Sequence, residues 1–268
     1  MAVIFDKEWD SLTEYDDDFI KIKHFQLHPE MLPFVGRNYQ QIRVLLLGES
    51  HYLSNDETDE VKMLKDWYDR PTTDYPFDYP RNFFTRGVIR NYLIGSRTRS
   101  YTMFSRPANL LIDSWNLKNV NDSEAFTAFS FFNYFQRPAS NSGSTIELTD
   151  EDEMQAYAIY RRVLEILKPE RVIFLSKKAY NSYEKKADSS EFDLTDFVYH
   201  PTCSHWYKED GTVKLQRLFS EMDVFEGFIP NGYLPLDKAE EIMETTQNPN
   251  EDYDVDSLWS KDIKQGRG

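Results

Sequence analysis

Apolar residues fall along this chain in short unbroken runs. The runs are "RVLLLG" (Arg43–Gly48), "AFSFFNYF" (Ala128–Phe135), "RVIFLS" (Arg171–Ser176) and "DFVYHP" (Asp196–Pro201). A strand with one face in water alternates apolar and polar residues, whereas a strand covered on both faces does not, so these runs read as strands of a buried, mostly parallel sheet. Between them lie helical patterns, the clearest being "LTDEDEMQAYAIYRRVLEILKPE". There Thr149 or Asp150 suits an N-cap, acids fill the first turn, Tyr157, Tyr160, Leu164 and Leu167 form an apolar stripe, and Pro169 stops the helix. Strand and helix alternate, which predicts a three-layer α/β/α domain around a central sheet of about four or five strands. That domain is expected over residues 1–220, opening with a helical segment, and residues 221–268 read as an acidic C-terminal appendage.

In open parallel sheets, ligands sit beyond the carboxyl ends of the strands. Each apolar run ends in polar chemistry: Glu49-Ser50-His51-Tyr52, then Asn133 with Gln136-Arg137-Pro138, then Ser176-Lys177-Lys178, then His200-Pro201-Thr202. Any one of these on its own is as well explained as an N-cap or a turn former. Four together predict a shared cleft.

Composition narrows the chemistry. With 268 residues, 40% of them hydrophobic, the chain is long enough for one large core. It has no run of 18 apolar residues, and "MAVIFDKEWD" lacks a basic, then apolar, leader pattern, so no membrane span or signal peptide is expected and the location is read as cytoplasmic. The single cysteine, Cys203, excludes an internal disulfide and a cysteine-rich zinc or iron–sulfur site. No cofactor or metal is expected. The net charge of −15 argues against nucleic acid as a partner, but it is unevenly spread. Residues 221–268 hold 12 acidic and 4 basic residues, whereas 79–112 hold no acid at all. In that second stretch Arg81, Arg86, Arg90, Arg97, Arg99 and Arg106 interleave with Phe83, Phe84, Tyr92, Tyr101 and Phe104. Two readings stay open: arginines paired to carboxylates elsewhere, or a surface for DNA phosphates and bases.

The stretch "VLLLGESHY" poses the question of chemistry. A lipase-type elbow needs a second glycine where Tyr52 stands. An esterase of the SGNH type, which the "GES" block and the late "YHPT" also resemble, would use Ser50 and His200, but it places an aspartate three residues before the histidine, and Phe197 stands there. A phosphate-cradling loop needs more glycines and a G-K pair. Matching all four strand ends at once gives a different result. "LLLGESHY" resembles the first motif of the uracil-DNA glycosylase superfamily, GQDPYH or GEAPG. "FFNYFQRPASN" is similar to "TNVVKCRPPGN", with Asn133, Arg137, Pro138 and Asn141 in matching places. "LKPERVIFLSKKAY" resembles "LKPKVIVALGRTA", and "HPTCSHW" is similar to HPSPLS or HPAYL. The resemblance runs in order from Val44 to about Trp206. It departs from the family at three points: the iron–sulfur cysteines are missing, Ser50 replaces the water-orienting aspartate of GQDPYH, and Ser204 stands where HPSPL carries an intercalating leucine.

The resemblance implies hydrolysis of an N-glycosidic bond in DNA. Such a reaction builds positive charge on the sugar and negative charge on the departing base. Glu49 and His200 are then the expected catalytic pair, the carboxylate beside the sugar and water, the imidazole N–H at the base oxygen. Asn133 would read the base edge, with Tyr52, Phe83 and Phe84 walling or stacking on the flipped base. Ser50, His51, Arg86, Arg90, Ser176, Thr202, Ser204 and His205 are the expected contacts to the DNA backbone.

Overall fold

The computed structural model describes residues 11–52, 64, 66–75, 84–95, 101–139, 146–202, 206 and 211–222. The apolar runs become strands β2 (Val44–Gly48), β3 (Phe129–Asn133) and β4 (Arg171–Phe174), and the short β5 (Thr195–Phe197). A two-residue strand, β1 (Phe34–Val35), completes a five-stranded sheet in the order β1-β3-β2-β4-β5. The four longer strands run parallel, and β1 closes the β3 edge in the opposite direction. Every residue of β2 and β3 is buried, as unbroken apolar runs require of a sheet covered on both sides.

The helices supply the covers. Helices α1 (Asp16–Phe19), α2 (Lys23–Leu27) and α3 (Tyr39–Ile42) precede β2. Helices α4 (Thr85–Leu93), α5 (Thr102–Trp115) and α6 (Asp122–Phe126) connect β2 to β3. Helix α7 (Asp150–Leu167) leads into β4, α8 (Lys177–Glu184) into β5, and α9 (Gly211–Glu221) follows. Two aromatic-rich cores result. One gathers Leu45, Leu47, Phe132 and Phe174 with Phe19, Phe25, Tyr160 and Tyr183 from α1, α2, α7 and α8. The other gathers Val44, Leu46, Phe131 and Ile173 with Tyr92, Phe104, Phe126 and Phe219 from α4, α5, α6 and α9. Alternate residues of each strand feed opposite cores, so the fold is three layers, α/β/α.

Helix α7 matches the sequence signals closely. The Thr149 side chain accepts from the Asp152 N–H while Asp152 accepts from the Thr149 N–H, a capping box that satisfies two otherwise orphaned donors. At the other end Lys168 turns left-handed (φ 49°) before Pro169. Asp152 also takes a bidentate contact from Arg137 (2.8 and 2.7 Å) and the Tyr68 hydroxyl (2.9 Å), tying the loop after β3 to the head of α7. Burial works against ionisation of Asp152, but the Arg137 and Thr149 hydrogen bonds outweigh it and hold the carboxyl below its ordinary range.

Among the described residues no helix is long and apolar enough to cross a membrane. Residues 223–268, and with them nearly all of the expected acidic appendage, lie outside the described residues.

Candidate active site

The chain leaves β2 for β3 on one side and then crosses to β4 on the other, which opens a crevice beyond the carboxyl ends of β2 and β4, the usual ligand position in such sheets. Glu49 is the first residue past β2 and Ser176 the second past β4. The Ser176 hydroxyl donates to Glu49 Oε2 at 2.7 Å across this crevice. Ser176 is also the N-cap of α8, accepting from the Ala179 N–H at 3.3 Å. One buried hydroxyl thus starts a helix and aims a carboxylate.

The backbone around Glu49 is fixed as well. Beyond the end of β2 the ladder to the β3 side continues: Tyr134 N–H donates to Gly48 O (3.0 Å), Phe135 N–H to Glu49 O (2.9 Å) and Ala139 N–H to His51 O (2.7 Å). A parallel bridge between Tyr52 and Ala139 extends it. Asn133 ends β3 opposite Gly48 in register, and is 7% exposed. A Cβ on Gly48 would sit 2.1 Å from Asn133 Oδ1 and 2.9 Å from the Phe131 ring, so only glycine lets that amide lie over the strand end. The Gln136 amide donates back to Asn133 O and braces the turn.

His200 follows β5, whose pairing with β4 reaches Val198 N–H to Phe174 O at 2.8 Å. Its Nδ1 accepts from the Thr202 N–H at 3.2 Å and lies 2.7 Å from the Thr202 hydroxyl. A ring nitrogen that accepts from a backbone N–H carries no proton, so the neutral tautomer has its hydrogen on Nε2. Burial pushes the His200 imidazole below its ordinary range; the Glu49 carboxylate pulls it up and the Arg106 guanidinium pushes it further down. Tyr52 is pushed up to about 12, first by burial and then by the Glu49 charge, with the nearby Ser50 hydroxyl opposing. Glu49, Ser176, Tyr52, Asn133 and His200 therefore share one end of the sheet, and the Glu49 carboxylate acts on both His200 and Tyr52.

Several expected phosphate contacts face inward instead. Arg86 is 2% exposed, its guanidinium bound to both oxygens of Asp16 (2.9 and 2.6 Å) and to Pro33 O (2.9 Å). His51 is buried, its Nε2 3.5 Å from the Thr85 hydroxyl. Ser176 is buried under Glu49. A phosphate cannot reach such groups without opening the core, so these three are structural or positioning residues. Thr202 is half-buried and serves His200. Ser50 is buried and its hydroxyl makes no hydrogen bond to His200, so the hydroxyl-to-Nε2 contact an esterase would use is not made, and His200 Nδ1, where an esterase holds an aspartate, is taken by Thr202. Arg90 and Phe84 are half-buried on and just before α4. Phe83, Ser204 and His205 lie outside the described residues.

Arg106 was not assigned to the site by sequence. Helix α5 carries it to Trp206, its guanidinium 5.8 Å from the centre of that ring, and its charge helps to lower the His200 imidazole. Its place in the arginine stripe was a signal for cationic character, not for this neighbour. Among the described residues no three His, Cys, Asp or Glu side chains are grouped to hold a metal. The chain matches no known family model and no curated protein.

Proposed function

We propose that this chain is a cytoplasmic DNA glycosylase-like hydrolase that cuts the N-glycosidic bond of a damaged or deaminated, uracil-like base. The observation that carries the reading is the pairing of a carboxylate fixed by Ser176 with a histidine fixed by Thr202 as an Nε2–H donor, both at the carboxyl edge of the sheet.

In this reaction the base leaves with the electron pair of the glycosidic bond, and water adds to the anomeric carbon. The Glu49 carboxylate favours the cationic sugar and orients the water, whose proton passes to the carboxylate or to solvent. His200 donates its Nε2–H to the base oxygen where negative charge collects; a donor aimed in this way is typically worth about 3–4 kcal/mol of transition-state stabilisation. Asn133 offers donor and acceptor to the base edge. The order of the four motifs, from "GESHY" to "HPT", supports the reading alongside the geometry.

The test is an oligonucleotide series carrying uracil, hypoxanthine, and alkylated or mismatched bases, scored for abasic sites. Excision of at least one base, lost in His200→Ala and retained in Ser50→Ala, is the expected result. A parent protein that leaves every base intact would return the chain to the class of non-catalytic nucleic-acid binders.

A further inference from the structure

The turn after β3 serves two parts of the site at once. Asn133 opens it, and the next two N–H groups hold the strand end that bears Glu49: Tyr134 donates to Gly48 O (3.0 Å) and Phe135 to Glu49 O (2.9 Å). Side chains close the same turn. The Gln136 amide donates to Asn133 O, and the Gln136 carbonyl accepts from the indole N–H of Trp67, 69 positions earlier, at 3.1 Å. The fully buried indole is itself held. Its ring stacks on His28, centroids 4.0 Å apart and planes 15° from parallel, and the Trp67 carbonyl lies 2.8 Å from His28 Nε2. A carbonyl only accepts, so that nitrogen carries the hydrogen. On its other side His28 Nδ1 meets the Thr72 hydroxyl at 2.6 Å, and Thr72 donates to Glu30. All these side chains are buried, so the chain of bonds runs through the core from His28 to Asn133.

We propose that Trp67 is a positioning residue for the reaction above: its indole N–H sets the turn from which Asn133 meets the base and which holds the Glu49 backbone. Only the purpose of this brace rests on the glycosylase reading. A buried hydrogen bond contributes modestly while it is made, but removing one partner leaves the other without a replacement. Trp67→Phe does this selectively. An aromatic ring remains for His28 to stack on, while the Gln136 carbonyl loses its donor and the turn loses its anchor. Phosphate contacts supply most of the affinity for DNA, whereas the base edge is read only once the base has left the stack. Loss of the brace therefore falls on kcat and on discrimination between bases rather than on KM.

The experiment pairs native-state hydrogen exchange on the full chain, which needs no DNA, with steady-state excision from oligonucleotides carrying uracil or hypoxanthine. In Trp67→Phe the Tyr134 and Phe135 amides are expected to exchange about tenfold faster after correction for global stability, while the β4 amides follow global stability alone. Excision is expected to lose about tenfold or more in kcat at a nearly unchanged KM, and the rate ratio between the two bases to narrow. Gln136→Met cuts the other link of the brace and should give the same result, which also serves if Trp67→Phe does not fold. The double variant should be little worse than either single one, because bonds in series fail together. Equal loss of protection in the turn and in β4, or full kcat and discrimination in a folded variant of a parent that excises bases, overturns the proposal. A parent that excises no base overturns the glycosylase reading and with it the purpose, while the exchange result still decides whether Trp67 sets the turn.

Discussion

Ser176 and Glu49 stand 127 positions apart in sequence, yet the hydroxyl of one donates to the carboxylate of the other at 2.7 Å. The same oxygen accepts from Ala179 N–H at the start of α8. Removing it therefore has two separable effects. Ser176→Ala is expected to lower stability by about 1 kcal/mol through the lost cap and, if the proposed base excision holds, to slow it beyond what that loss explains because Glu49 is no longer held. Urea denaturation and single-turnover excision measured on the same preparation separate the two; an excision rate equal to that of the parent would mean the hydroxyl is only a cap.

Gly48 and Asn133 form a second dependent pair. Gly48→Ala would force Asn133 Oδ1 and the Phe131 ring aside, at about 1–3 kcal/mol for an overpacked site. Asn133→Ala in the same chain should recover part of that loss, since it removes the nearer clash. A double-mutant cycle by chemical denaturation checks this, and strict additivity of the two changes would show that the side chains do not meet.

Arg86 is expected to behave as a core residue. It is 2% exposed and opposite Asp16, so Arg86→Met leaves a carboxylate without its partner and should cost about 3 kcal/mol or more. Thermal denaturation reads this directly. By contrast, if the arginine stripe serves phosphates, Arg90→Glu should weaken DNA binding in a salt-dependent way. A stable Arg86→Met protein would mean that the ion pair contributes little to the fold.

Acid should destabilise the protein through its buried histidines. His24, packed 4.7 Å from the His28 ring, is held well below the ordinary histidine range, by burial first and then by the neighbouring His28 and His51. His200 is lowered as well. A group with a depressed folded value takes up its proton in the unfolded chain first, so its contribution is intact above about pH 6.5 and is lost as the pH falls below it. Stability at pH 7.5 should exceed that at pH 5.5 by about 1 kcal/mol or more, and His24→Leu should narrow the gap. Urea midpoints at the two pH values decide it; an equal gap in the variant would place the acid sensitivity elsewhere.

By itself the sequence determined the features governed by local rules. Unbroken apolar runs marked three of the buried strands to within about two residues, because a strand covered on both faces has no polar positions to alternate. Thr149, the acidic first turn and Pro169 marked α7, because caps and stops act within a turn. The gathering of Glu49, Asn133, Ser176 and His200 at one edge followed from a parallel sheet placing all its strand ends together. Strand β1 was not legible: two residues are too few to show a period. Nor could the chain reveal that Arg86 would find Asp16, 70 positions earlier, that Ser176 would hold Glu49, or that Arg106 would rest on Trp206. Hydrophobic periodicity reports that a position is covered but not by what; the partner of a charge or a hydroxyl is chosen only when distant elements pack, and that choice was made by the tertiary structure.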